Sequence, residues 1–183
     1  MYRIFILAIS LSIMLASCSK DDPVIPNEEE VITTLIYTLT PDAGGTAVEL
    51  QFLDADGDGG DAPEITTSDL SPNTLYVGAV RLLNEQESPA EDVTTEIMEE
   101  NEDHQFFYET TVDGLSVSYD DLDSNVQPVG IRTMLQTGDE GSGMLTITLR
   151  HEPNKSADGV VISDPSNAGG ETDIEVRFPI NVQ

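Results

Sequence analysis

Every second residue from Ile174 to Val182 is apolar: Ile174, Val176, Phe178, Ile180 and Val182. A two-residue period puts successive side chains on opposite faces of an extended chain, so this stretch predicts a strand with one face on a core. Pro179 falls on the other face and lacks an N–H, which predicts an edge strand or a departure from the sheet there. The same period recurs at Thr33, Leu35, Tyr37 and Leu39, and at Thr46, Val48, Leu50 and Phe52. It returns at Val129, Ile131, Thr133 and Leu135, and at Leu145, Ile147 and Leu149. The stretch 75–83 is a nearly continuous apolar run and predicts a central strand.

Turn chemistry divides these runs. Pro41 to Gly45 predicts a hairpin between the first two, and the Gly-rich stretch 138–143 predicts one between Val129–Leu135 and Leu145–Leu149. Asp113-Gly114 predicts a third, joining 106–112 to 115–119, because a type I′ turn needs two residues with positive φ. One segment breaks the pattern. Ser88-Pro89-Ala90-Glu91 reads as a capping box with Pro at the first helical position, and Val93 and Ile97 then form an apolar stripe. This predicts a short helix over 89–101. About eight strands and one helix give an all-β class, an immunoglobulin-like antiparallel β-sandwich.

The N-terminus reads as an address. Arg3 is followed by an apolar run, Ile4 to Leu15, too short to span a bilayer, which ends in Leu15-Ala16-Ser17-Cys18. Small residues before a Cys resemble a lipobox, so 1–17 is expected to be a lipoprotein signal peptide and Cys18 the lipidated residue. Residues 18–30 carry Pro23, Pro26 and an acidic run, a tether composition, and 31–183 form the expected sandwich domain. Cys18-Ser19-Lys20-Asp21-Asp22 resembles the export signal that places Bacteroidota lipoproteins on the outer face of the outer membrane. Cys18 is the only Cys, so no internal disulfide can form.

Charge excludes one class of partner. The chain carries 35 Asp and Glu against 7 Lys and Arg, a formal net charge of -28, whereas nucleic-acid binding needs clustered cations. The acidity favours cation attraction instead. Enzyme signatures are missing: there is no Gly-x-Ser-x-Gly elbow, no P-loop and no His-Glu-x-x-His, and the one thiol is assigned to lipid. A non-enzymatic binding module is expected.

Four stretches together resemble a known group: Asp54-Ala55-Asp56-Gly57-Asp58-Gly59-Gly60, Ser88-Pro89-Ala90-Glu91-Asp92, Asp103-His104-Gln105-Phe106-Phe107, and 145–153 with its Leu-Arg-His-Glu-Pro ending. They are similar to short Bacteroidota surface lipoproteins often labelled "type 1 periplasmic binding fold superfamily" proteins. The resemblance implies a surface address. Its label implies a two-lobed α/β fold, whereas the strand pattern here implies a sandwich.

Two metal sites are expected. Asp54, Asp56 and Asp58 with Gly59 reproduce the first half of a calcium loop, which Asp61 or Glu64 could complete; position 12 is Ile65 and the flank is a strand. The chain has two histidines, both at element ends beside acids: His104 after Glu100 and Asp103, His151 before Glu152. If folding joins them, His104, His151, Glu100, Asp103 and Glu152 supply a zinc- or copper-type site. A bis-His haem is the other use of such a pair, though no haem motif accompanies it. The expected function is a lipid-anchored outer-membrane binding module for Zn, Cu or Ca, or for a ligand passed to an outer-membrane transporter. The alternative is a structural or interaction lipoprotein with a solvated acidic surface and at most a calcium-stiffened loop.

Overall fold

The computed structural model describes residues 30–57 and 60–183. The signal peptide, Cys18, the tether through residue 29 and Asp58 lie outside them. The strands are β1 (Thr34–Pro41), β2 (Val48–Leu53), β3 (Glu64–Thr66), β4 (Leu75–Leu83), β5 (His104–Thr110), β6 (Ser116–Tyr119), β7 (Arg132–Gln136), β8 (Gly141–His151) and β9 (Glu171–Val182), with one helix, α1 (Val93–Glu99), between β4 and β5. They form two antiparallel sheets, a six-stranded one ordered β3-β2-β1-β4-β7-β6 and a three-stranded one ordered β5-β8-β9. The expected all-β sandwich is what forms.

The alternating apolar residues meet between the sheets. Leu35, Tyr37, Leu39 and Leu82 come from the larger sheet, and Phe106, Tyr108, Leu145, Ile147, Leu149, Val176 and Phe178 from the smaller one, all buried in one core. Burying side chains of this size stabilises by about 1.5–3 kcal/mol each relative to exposure, which is why the period-two pattern outweighs local preferences. Within the core the Tyr37 hydroxyl hydrogen-bonds Thr133 at 2.7 Å, and the Tyr108 hydroxyl donates to the Gly130 carbonyl at 2.6 Å.

The β1–β2 hairpin and the central position of β4 are as expected. Two expected hairpins are not. β5 pairs with β8 while β6 pairs with β7, so Asp113-Gly114 turns the chain from one sheet into the other. The turn itself forms, with the Leu115 N–H on the Val112 carbonyl and Gly114 at φ 74°. Both residues beside it, Val112 and Leu115, are buried between the layers, so core burial overrides the local hairpin signal. The stretch 138–143 likewise links β7 to β8 across the layers. Val129 and Ile131 do not lie in β7; their carbonyls accept from Phe106 of β5 and Val80 of β4, joining the two sheets at that point.

The helix begins later than the capping box predicts. Asn84 and Glu91 exchange backbone hydrogen bonds, which folds 85–90 back as a loop at the end of β4 and delays helix entry to Asp92. Asp92 makes no side-chain cap. Val93 and Ile97 are buried as the stripe requires. Pro179 lies in β9, the edge strand of the small sheet, where its missing N–H removes no ladder bond to a third strand.

Candidate metal centre

The first residue of β5 is His104 and the last of β8 is His151, and the antiparallel register sets them directly opposite each other. His104 keeps the inward parity of Phe106 and Tyr108; His151 keeps that of Leu145, Ile147 and Leu149. Both therefore end up on the core face at one end of the small sheet. Their rings are 4.6 Å apart between centroids, tilted by 39°. His104 is fully buried and His151 nearly so.

Two carboxylates close on the pair. Asp173 lies in β9, and its alternation alone would point it away from the core. A bulge corrects this: Leu149 pairs with Ile174 and Arg150 with Thr172, so Asp173 is the extra residue and its side chain is re-aimed inward. Its oxygens lie 3.8 Å from His104 Nε2 and 3.6 Å from His151 Nδ1, with the side chain fully buried. Glu30 arrives from the segment leading into β1. One carboxylate oxygen is 2.9 Å from His104 Nε2 and the other 3.7 Å from His151 Nδ1, at 4 % side-chain exposure. Three ligands thus come from three adjacent strands of the small sheet, and the fourth from the chain that enters the large sheet.

Glu30, His104, His151 and Asp173 each offer one ligand atom, and these atoms lie within 4.8 Å of one another. They could hold a metal ion. In a tetrahedral zinc site with bonds of about 2.0–2.1 Å, neighbouring ligand atoms stand about 3.3 Å apart, so the contacts of 2.9–3.8 Å bracket what an ion needs. His104 is oriented for it. Its Nδ1 is 3.1 Å from the Glu100 carbonyl, which can only accept, so the proton sits on Nδ1 and Nε2 faces the cluster. Among the described residues, His104 Nε2 and Glu30 Oε2 are buried and face other members of the cluster, Glu30 Oε1 at 2.9 Å and His151 Nδ1 at 3.7 Å.

Electrostatics around the centre favour a cation. Burial alone would lower the His104 pKa, but the Glu30 carboxylate, the Glu100 carbonyl and the charge of Asp173 outweigh it and raise the pKa above the ordinary value. Burial works against the Glu30 charge, yet the His104 contact, its own backbone N–H and both imidazoles hold its carboxyl below the usual range. At the neighbouring helix, burial and the charges of Glu30, Glu100 and Glu91 push Glu96 up.

Compared with known families, curated proteins and solved structures, the chain matches none. The centre therefore stands on its own geometry.

The histidine pairing expected from sequence is present, but the expected carboxylates are not its partners. Glu100, Asp103 and Glu152 are exposed. The helix ends at Glu99, so Glu100 offers His104 its carbonyl and not its carboxylate. Asp103 and Glu152 lie one residue beyond the strand ends, Asp103 in the turn after the helix and Glu152 at φ 48°, and both are exposed; their backbones bond at 2.6 Å. Gly170, just before β9, has φ 70°, and a Cβ there would strike the His151 carbonyl, so glycine is required where the chain turns back beside the centre.

The expected calcium acids serve the loop. Asp54 Oδ1 accepts from the Gly57 N–H at 3.1 Å, and Asp56 Oδ2 from the Asp61 N–H at 2.9 Å. With Asp61 and Glu64 they border an open cleft. Among the described residues, no three of them converge as the core four do.

A pH dependence follows. Because the His104 pKa is raised on folding, its stabilising contribution in metal-free protein is complete below its unfolded value of about 6.5 and is lost as pH rises through the folded value. The Glu30 pKa is lowered, so its contribution holds above 4.5 and is lost as pH falls through the folded value. Metal must displace the His104 proton, so stabilisation by zinc should grow from pH 5.5 to pH 8.5 while the metal-free protein weakens. Melting curves in zinc and in EDTA at the two pH values check this; an EDTA effect that does not change with pH contradicts it.

Proposed function

We propose that this chain is an outer-membrane-anchored surface lipoprotein whose β-sandwich binds one divalent transition-metal ion of zinc type. The observation that carries the proposal is the buried, convergent set Glu30, His104, His151 and Asp173. Two imidazoles argue against calcium, which takes six to eight oxygens, and suit zinc, copper or nickel. Two carboxylates, when ionised, match the charge of a divalent cation, so an occupied centre is neutral and tolerates burial.

Four protein ligands and a buried position are the features of a retained ion, not of a catalytic metal that keeps an open position for substrate. The ion would join the small sheet to the chain entering the large one, in a protein whose one Cys cannot form an internal disulfide. Delivery to an outer-membrane transporter would follow from the address and not from any residue, and the burial of the centre favours retention. Elemental analysis of the purified chain, after equilibration with zinc and dialysis, should give one zinc per chain, and the double variant His104→Ala/His151→Ala should give none. Calcium as the sole stoichiometric metal would return the chain to the reading of a calcium-stiffened interaction domain.

A further inference from the structure

Outside the centre, Lys155 and Asp123 form a buried ion pair. Lys155 Nζ is 2.8 Å from Asp123 Oδ2, and the two side chains are 4 % and 1 % exposed. Lys155 lies in the link from β8 to β9, and Asp123 in the link from β6 to β7. Taking two charges out of water is costly, and an apolar pair of similar volume is often at least as stable. The pair therefore calls for an account of what else it holds. Nζ has a second acceptor, the carbonyl of Asn101. Asn101 follows Glu100, whose carbonyl orients the His104 ring.

We infer that Lys155 is a positioning residue for the metal centre: it grips the turn 100–103 so that the Glu100 carbonyl meets His104 Nδ1 and Nε2 is left for the ion. The inference rests on the zinc-type centre proposed above and adds what holds one of its ligands in place. The turn lies between the end of α1 at Glu99 and the start of β5 at His104, outside any strand ladder. Its Glu100 carbonyl accepts from the Asp103 N–H at 2.9 Å as well as from His104. Three contacts from outside support it: Lys155 on the Asn101 carbonyl, the Ser124 hydroxyl on the Glu102 carboxylate, and the Glu152 N–H on the Asp103 carbonyl. Glu102 and Ser124 are exposed, where water competes. Lys155 supplies a charge-assisted bond from a buried donor, the stronger kind. Asp123 is itself fixed, because its Oδ1 accepts from the Asn125 and Gln127 N–H groups at 2.9 and 2.8 Å. A metal-binding histidine depends on the partner of its other nitrogen for ring orientation and basicity. That partner is here a backbone carbonyl, so the side chain that can be changed is the one gripping its turn.

The test is zinc affinity of the full chain, measured by competition with a chromophoric chelator. Lys155→Met keeps the length of the stem and removes the charge and the donors. Thr133→Val is the control: it removes the buried Tyr37 hydrogen bond in the large sheet and leaves the turn untouched. The zinc Kd of Lys155→Met should rise about tenfold, the lower end of what loss of an outer partner costs. Thr133→Val, which shares no partner with the centre, should stay within about threefold of wild type. A second readout looks at the ring. With ¹⁵N-labelled histidine only two imidazoles contribute signals. In zinc-loaded protein the His104 Nδ1–H, held by the Glu100 carbonyl, should exchange with water about tenfold faster in Lys155→Met than in wild type. Should Lys155→Met fail to fold because Asp123 is stranded, Lys155→Met/Asp123→Asn carries the same expectations; it removes both charges and keeps the acceptor for Asn125 and Gln127.

Zinc affinity equal to that of wild type in the Lys155 variants would show that the ion pair does not serve the centre. An equal loss in Thr133→Val would assign the effect to stability in general, and weaker binding with unchanged Nδ1–H exchange would mean that Lys155 does not act through His104; each overturns the inference. A wild-type chain that binds no zinc would overturn the centre itself, a failure visible before any variant is compared.

Discussion

Zinc in excess should raise the melting temperature of this protein by about 8–16 °C, and EDTA should reverse the change. An ion present at a thousand times its Kd stabilises the folded state by about 4 kcal/mol. For a domain of this size each kcal/mol moves the midpoint by about 2–4 °C. The coupling should be complete because no unfolded chain brings Glu30, His104, His151 and Asp173 together: 143 positions separate the first from the last (173 minus 30). Scanning calorimetry in zinc and in EDTA measures the difference. Coincident curves at pH 8 would mean that the four side chains hold no ion.

Replacing His104 by Ala should cost about 3–5 kcal/mol even in EDTA, because removing one partner from a buried charged pair strands the other. The imidazole is fully buried, 2.9 Å from Glu30 and within reach of the Glu100 carbonyl, so its loss leaves a carboxylate and a helix-end carbonyl both short of a donor. Urea unfolding of wild type and His104→Ala in EDTA reads this directly, and zinc should then fail to raise the midpoint of the variant. A variant within about 1 kcal/mol of wild type in EDTA would show that the cluster carries no buried ionic contact.

Much of this arrangement was legible before folding. The period-two runs marked most of the strands, since one buried face per strand is a property of sequence spacing. The histidines were findable as a pair because each continues or borders an inward apolar series at a strand end. Partnering was not legible. Asp113-Gly114 makes its turn, but whether the strands beside it pair depends on which sheet needs Val112 and Leu115 in its core.

The carboxylates were hidden for two different reasons. Asp173 has the wrong parity for the core, and a bulge, which inserts one residue without a strong sequence mark, reverses it. Glu30 belongs to an acidic, Pro-containing stretch whose composition suggests a tether, and only the arrival of the small sheet at that point makes it a ligand. Glu100, Asp103 and Glu152 looked suitable because they adjoin the histidines in sequence. Yet the helix stops at Glu99 and both strands stop at the histidines, so these three acids fall in turns and are exposed.

The place of Glu30 has a mechanical side. It is four residues ahead of β1, a strand hydrogen-bonded on both edges inside the large sheet. If the chain is anchored at Cys18, as proposed above, drag on the domain would meet the Glu30 carboxylate before the ladder of β1. With an ion in place that carboxylate is moored to three strands of the other sheet, so tension is shared across both layers instead of peeling β1 from one end. The centre would then act as the shackle between an anchor line and its load, and an empty centre would leave the domain hanging by the first bonds of a single strand.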